Sequence, residues 1–158
     1  MRRLFPVVVL LAGLAGPAVA DFKAGVEAAN KGAWATAVRE FTPLANQGDS
    51  AAQFNLGLIY ANGRGVAKND IQALIWYSKA AHQIHAQAQA NLAFMYATGR
   101  AVPQDLITAY MWASLAMSHA KGSTREAAAR FRATLAAAMT ADNVAAAERR
   151  VKAWKPNN

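Results

Sequence analysis

Residues 52–81 read AQFNLGLIYANGRGVAKNDIQALIWYSKAA, and residues 88–117 read AQANLAFMYATGRAVPQDLITAYMWASLAM. A constant step of 36 carries Ala52 onto Ala88, Asn55 onto Asn91, Leu56 onto Leu92 and Tyr60 onto Tyr96. The same step carries Gly63 onto Gly99, Val66 onto Val102, Ala73 onto Ala109 and Trp76 onto Trp112. Roughly half of the aligned positions are identical, and a period of ~20–50 residues is the mark of a stacked repeat architecture.

The spacing within one copy describes a helical hairpin. Leu56 and Tyr60 stand four apart and share a helix face, as do Leu92 and Tyr96. Gly63 and Gly99 then supply a residue able to take positive φ just past the helix end. Val66 and Val102 are free to fold back under the following turn. Asn69 and Asp105 are N-cap residues for a second helix, and Asn69 has Gln72 three residues on, a capping-box spacing. In that helix Ala73, Trp76 and Ala80 recur at helical intervals, as do Ala109, Trp112 and Ala116. Small Ala beside bulky Trp lets two helices approach while one ring fills the gap between hairpins. Such a hairpin cannot bury its apolar face alone and must stack on neighbours.

These residues resemble the Sel-one-like repeat, a longer-looped relative of the tetratricopeptide repeat. The first copy matches at Leu56, Gly57, Tyr60, Gly63, Gly65, Val66, Asn69, Ala73, Trp76 and Ala80. It has Ala67 where the pattern commonly has proline, and Asn69 where Asp is usual. The second copy has Pro103 and Asp105 but carries Ala93 and Ala101 at two glycine positions. The resemblance implies an all-α fold, a short right-handed α-solenoid of stacked helix–turn–helix units, and a role in protein–protein interaction. Exported proteins similar to this one are in some cases held by a disulfide in each repeat. This chain has no cysteine, so helix packing alone must hold it, and thiol chemistry and cysteine-ligated metals are excluded.

The chain opens with Met1-Arg2-Arg3, an apolar run from Leu4 to Leu14, and the small residues Ala18-Val19-Ala20 before Asp21. That layout fits a secretory signal peptide over 1–20, and the run is too short to span a membrane. The expectation is a periplasmic or secreted protein, not membrane-spanning, whose mature part is one helical-repeat domain over 21–158. Within it, 21–48 forms an N-terminal cap hairpin, 49–84 the first repeat, 85–120 the second, and 121–158 capping helices. Eight helices and no strands are expected. Pro43 should kink or shorten the second helix. Ile84 should pack between hairpins, Ser123 with Glu126 and Thr140 should cap the last two helices, and 156–158 should fray.

The whole chain carries a formal charge of +8. Without Arg2 and Arg3 there remain 15 basic and 9 acidic residues, concentrated towards the C-terminal helices. A basic excess permits weak contact with anionic envelope components; nucleic acid is not expected as a partner of an exported chain. Phe131, Leu135, Met139, Val144, Val151 and Trp154 should pack inward and leave the basic residues outside, a polar end-cap for the solenoid.

No catalytic set emerges. The serines lie in no nucleophile-elbow context, and Gly63-Arg64-Gly65 lacks a phosphate-loop pattern. His82 and His85 stand three apart, a spacing open to a metal pair, yet His119 and the acids complete no ligand set; neither a metal nor a cofactor is expected. Trp34, Trp76, Trp112 and Trp154 suggest either ligand stacking or core filling, and the repeated position of Trp76 and Trp112 favours the core. Asn55 and Asn91 precede the leucine of each first helix and serve no apolar packing. In tetratricopeptide-like domains the first helices line the concave face, so the resemblance implies that these asparagines hydrogen-bond a bound peptide; the alternative is a structural bond to a neighbouring helix or loop. Arg64 and Arg100 recur in the loops, either to meet an acidic partner or simply solvated. The expected function is a non-enzymatic scaffold or adaptor binding a protein or peptide in a helical-repeat groove, with a cell-envelope hydrolase or a cell-wall or anionic-envelope binding protein as the alternative.

Overall fold

The computed structural model describes residues 20–157. The expected signal peptide lies, but for Ala20, outside the described residues. Eight helices follow one another with no strand among them: α1 (Phe22–Asn30), α2 (Trp34–Asn46), α3 (Ser50–Asn62), α4 (Asp70–His82), α5 (Ala86–Thr98), α6 (Leu106–His119), α7 (Gly122–Ala137) and α8 (Ala141–Ala153). Each of α1 to α6 packs on the next, so the hairpins stack as an α-solenoid; α6 also carries α8.

The repeated loop forms as the spacing predicts. Gly63 (φ 64°) and Gly99 (φ 69°) end α3 and α5 in the left-handed region. The Asn69 N–H then donates to the Tyr60 carbonyl and the Asp105 N–H to the Tyr96 carbonyl, both at 2.9 Å, closing the two loops identically. Asn69 and Asp105 accept from the first-turn N–H groups of α4 and α6. Ala101 adopts φ 65°, close to the 70° of its counterpart Gly65, so the loop keeps its shape without the glycine.

Two apolar clusters fill the stack. One joins Phe41, Leu56 and Ile59 to the half-buried Trp34, Val66 and Trp76. The other joins Tyr77, Leu92, Met95, Tyr110, Trp112, Leu115 and Leu135, with Phe131, Met139, Val144, Val151 and Trp154 packed against it. The helices of a hairpin approach where one is small. A Cβ on Gly25 would stand 2.6 Å from the Phe41 ring, and one on Gly57 2.5 Å from the Tyr77 ring.

Four local expectations need correction. Ile84 is not packed between hairpins: it is 44% exposed, at φ 65°, where the preceding junction has Gly48 at φ 100°. The turn dictates a left-handed residue, and that backbone geometry turns the side chain outward. The start of α7 lies at Gly122, with Lys121 before it and no side-chain cap, so Ser123 falls inside the first turn; Gly122 (φ 54°) makes the bend instead. The chain end is anchored as far as Asn157, whose N–H donates to the His82 carbonyl at 3.0 Å. Among the C-terminal cations, Arg132 turns inward onto the Tyr110 hydroxyl (3.0 Å) and Glu148 (3.8 Å). As expected, Thr140 caps α8. Helix α2 runs on to Asn46, past Pro43.

Candidate functional site

Gln53 and Gln89, a step of 36 apart, are buried at 3% and 0% exposure. Each uses its amide to tie its hairpin to the preceding one. Gln53 Nε2 donates to the Ala45 carbonyl and Gln89 Nε2 to the Ala81 carbonyl, both at 3.0 Å. Each amide oxygen then accepts from the end of the second helix of its own hairpin, from Gln83 Nε2 at 2.8 Å or from His119 Nδ1 at 2.9 Å. A buried amide with both ends satisfied fixes the angle between hairpins, and hence the shape of the surface they present.

That surface is the outward row of α3 and α5. Ala51, Asn55, Leu58 and Asn62 stand at helical spacing on α3, and Gln87, Asn91, Phe94 and Thr98 repeat the row on α5. Asn55 is half-buried and its Nδ2 donates to the Ala51 carbonyl at 2.8 Å; Asn62 does the same to Leu58. Asn55 therefore has a local bond within its own helix, leaving its oxygen as the acceptor. Phe94, 49% exposed, is the large apolar side chain of the row. The sequence reading missed it, although the step of 36 places it on Leu58.

A cavity of about 500 Å³ opens where the N-terminal hairpin meets α3. Phe41, Leu58 and Ile59 give it apolar walls; Asn30, Asn55, Trp34 and Arg64 bring polar and aromatic groups. The Arg64 guanidinium lies over the Trp34 ring, 4.8 Å from its centroid. The loop carrying Arg64 sits tightly on the start of α2: a Cβ on Gly65 would stand 2.4 Å from Trp34 Cβ.

One repeat later the corresponding residues are engaged with each other. Arg100 Nη2 donates to Asp70 Oδ1 at 2.5 Å and to the Ala61 carbonyl at 2.9 Å. This hydrogen bond from Arg100, helped by the charges of Arg100 and Lys68 and against the opposing effect of burial, holds the Asp70 carboxyl below its ordinary value. Tyr77, in the position of Phe41, is pushed up to about 12 by burial, with the Arg100 charge and the Asn91 side chain acting the other way. Arg100 is thus an internal tie rather than a solvated loop residue. Of the four residues singled out from the sequence, the structure brings Asn55 and Arg64 together at the cavity and places Asn91 and Arg100 in the second repeat.

The histidines are used separately. His82 Nδ1 meets the Ser78 carbonyl at 2.8 Å, and its ring stands edge-on to Trp112. His85 stacks on Phe54 at 4.5 Å and caps α5. His119 is spent on Gln89. Trp112 and Trp154 pack on one another, and Trp76 belongs to the N-terminal core. Trp34 alone of the four lines the cavity.

The model of the Sel1 repeat matches residues 50–85 and 86–118. No curated protein matches the sequence. Among solved structures, a protective antigen present in uropathogenic Escherichia coli strains and displaying an SLR fold is 31% identical, with a TM-score of 0.71 over 82% of this chain. A Sel1 repeat protein from Oxalobacter formigenes is 33% identical, with a TM-score of 0.56 over 60% of this chain. The matches span 29% and 38% of those two chains. Repeats of this kind commonly serve as protein-interaction scaffolds. The chain thus carries two Sel1 repeats at its centre, and its structural neighbours are built of the same unit.

Proposed function

We propose that this protein is an exported, non-catalytic binding module that holds a segment of another protein along the outward row of α3 and α5. The observation that carries the reading is Phe94, half-exposed beside Asn91 on a row that continues through Leu58 and Asn55. A rigid scaffold that presents an aromatic anchor flanked by amides suits an extended peptide, whose backbone needs hydrogen-bond partners and whose side chains need apolar contact. The basic C-terminal helices add a weak, salt-sensitive attraction for anionic envelope components. Export into the periplasm or beyond follows from the leader-like N-terminus.

A photo-crosslinking residue at position 94, with a control at 149, tests the binding surface in native envelopes. One reproducible protein crosslinked from 94 and not from 149 supports the reading; equal or no capture at both overturns it. Intact mass of the protein from the periplasmic fraction tests export, with a mature chain beginning at Asp21 expected.

A further inference from the structure

The cavity beside Trp34 and its counterpart one repeat later differ in a way that points to a ligand. In the second repeat Arg100 meets the Asp70 carboxylate. The step of 36 carries Arg64 onto Arg100 and Trp34 onto Asp70. So the first repeat keeps the arginine and replaces its acid by an indole. Among the described residues Arg64 has no carboxylate within ion-pair distance; its guanidinium lies over the Trp34 ring instead. A guanidinium stacked on a ring still presents its N–H edge, the edge that takes a carboxylate with two parallel bonds. Tyr77 of α4, beside Asn91, corresponds one step of 36 earlier to Phe41 of α2, which has no hydroxyl to reach Asn55.

We propose that this cavity receives a peptide carboxylate next to an apolar side chain: Arg64 takes the carboxylate, Asn55 the adjoining backbone, and Phe41 and Leu58 the apolar group. The second repeat is the template. What Asp70 does there from within the chain, the ligand does here from outside. This deepens the reading of the outward row as a peptide-binding surface and rests on it. The carboxylate comes from an acidic side chain or from a chain terminus, and the two are separable.

The test follows the Trp34 indole N–H resonance of the intact mature protein while three peptides are added. They are acetyl-Leu-Leu-Glu-Leu-amide, its Gln counterpart, and acetyl-Leu-Leu-Leu with a free C-terminus. Saturable shifts are expected with the Glu peptide or the free-terminus peptide, whichever supplies the carboxylate, and binding about tenfold weaker with the Gln peptide. Arg64→Gln, at an exposed position, should leave the thermal midpoint in place and abolish the difference between Glu and Gln peptides. Raising salt should narrow it too. Equal binding of the Glu and Gln peptides with no response to the free terminus, no saturable shift with any of the three, or a preference that survives Arg64→Gln overturns the proposal. Failure here with specific crosslinking from position 94 leaves the binding row standing and removes only the carboxylate site. Loss of crosslinking at 94 with retained carboxylate selectivity at Trp34 removes the row and not the cavity.

Discussion

The Tyr77 ring lies across Gly57 so closely that a Cβ on the glycine would stand 2.5 Å from it. One repeat on, the same two positions are Ala93 and Ala113, both buried. The space between paired helices is therefore shared out differently in the two hairpins, glycine with a large ring in one and two alanines in the other. Gly57→Ala should lower stability by about 1–3 kcal/mol through overpacking, outweighing the ~1 kcal/mol by which Ala favours a helix over Gly. In a Tyr77→Ala background the same substitution should be neutral or stabilising. Urea midpoints of the four proteins check this; an equal loss in both backgrounds would exclude the contact as the cause.

Gln89→Leu should cost about 1–3 kcal/mol, because the Ala81 carbonyl and His119 both lose a buried partner. Gln87→Leu, two residues away and exposed, should stay within about 0.5 kcal/mol. Similar unfolding midpoints for the two variants would show that the buried amide does not hold the hairpins together.

Ile84 is a β-branched residue in the left-handed region, a conformation that costs about 1–2 kcal/mol without glycine. Ile84→Gly should therefore raise stability by about 1 kcal/mol, since the exposed side chain surrenders little burial. Ile71→Gly, also at an exposed isoleucine but inside α4, should lower it by a similar amount. Thermal unfolding distinguishes the two directions.

Acid should weaken the fold in a defined window. Burial lowers His85 and His119 below the ordinary 6.5. The unfolded chain then takes up protons first as pH falls, so the stability these residues contribute is full above about 6.5 and lost below it. For His85 the loss has a visible cause, since Nδ1 accepts the Ala88 N–H at 3.4 Å as the cap of α5 and cannot do so when protonated. The first repeat has Asp49 and Gln83 at the equivalent positions, making the corresponding bonds without a titratable imidazole. The double variant His85→Asp, His119→Gln should lose much less stability between pH 7.5 and 5 than the parent. Identical urea midpoint shifts over that range would rule out these histidines as the source.

Truncation after Lys121 removes α7 and α8, which cover α6. Tyr110, Trp112 and Leu115, all within 5% exposure in the intact protein, then lose the helices packed over them. The truncated chain should aggregate or lose cooperative unfolding, as an uncapped solenoid does; a monomeric, cooperatively folding product by size exclusion and calorimetry would refute the capping role. Replacing Arg149, Arg150 and Lys152 with Gln should leave folding intact and reduce binding to anionic vesicles at low salt. Unchanged vesicle binding would dispose of that contact.

The hairpins, their order and their loops were legible in the sequence because each rests on local physics. Gly63 and Gly99 end helices through a backbone conformation open to glycine, and Asn69 and Asp105 begin them with a side-chain acceptor one turn from the N–H it satisfies. The step of 36 then copies those local rules. The site was legible only in part. Asn55 and Arg64 stood out as repeated polar residues, but nothing local distinguished Arg64 from Arg100. Their difference lies in residues 30 positions upstream, Trp34 against Asp70, which only the stacking of one hairpin on the next brings into contact. The buried role of Gln53 and Gln89 was hidden for the same reason. An amide reads as a surface residue in sequence, and only tertiary packing buries it and gives both its ends a partner.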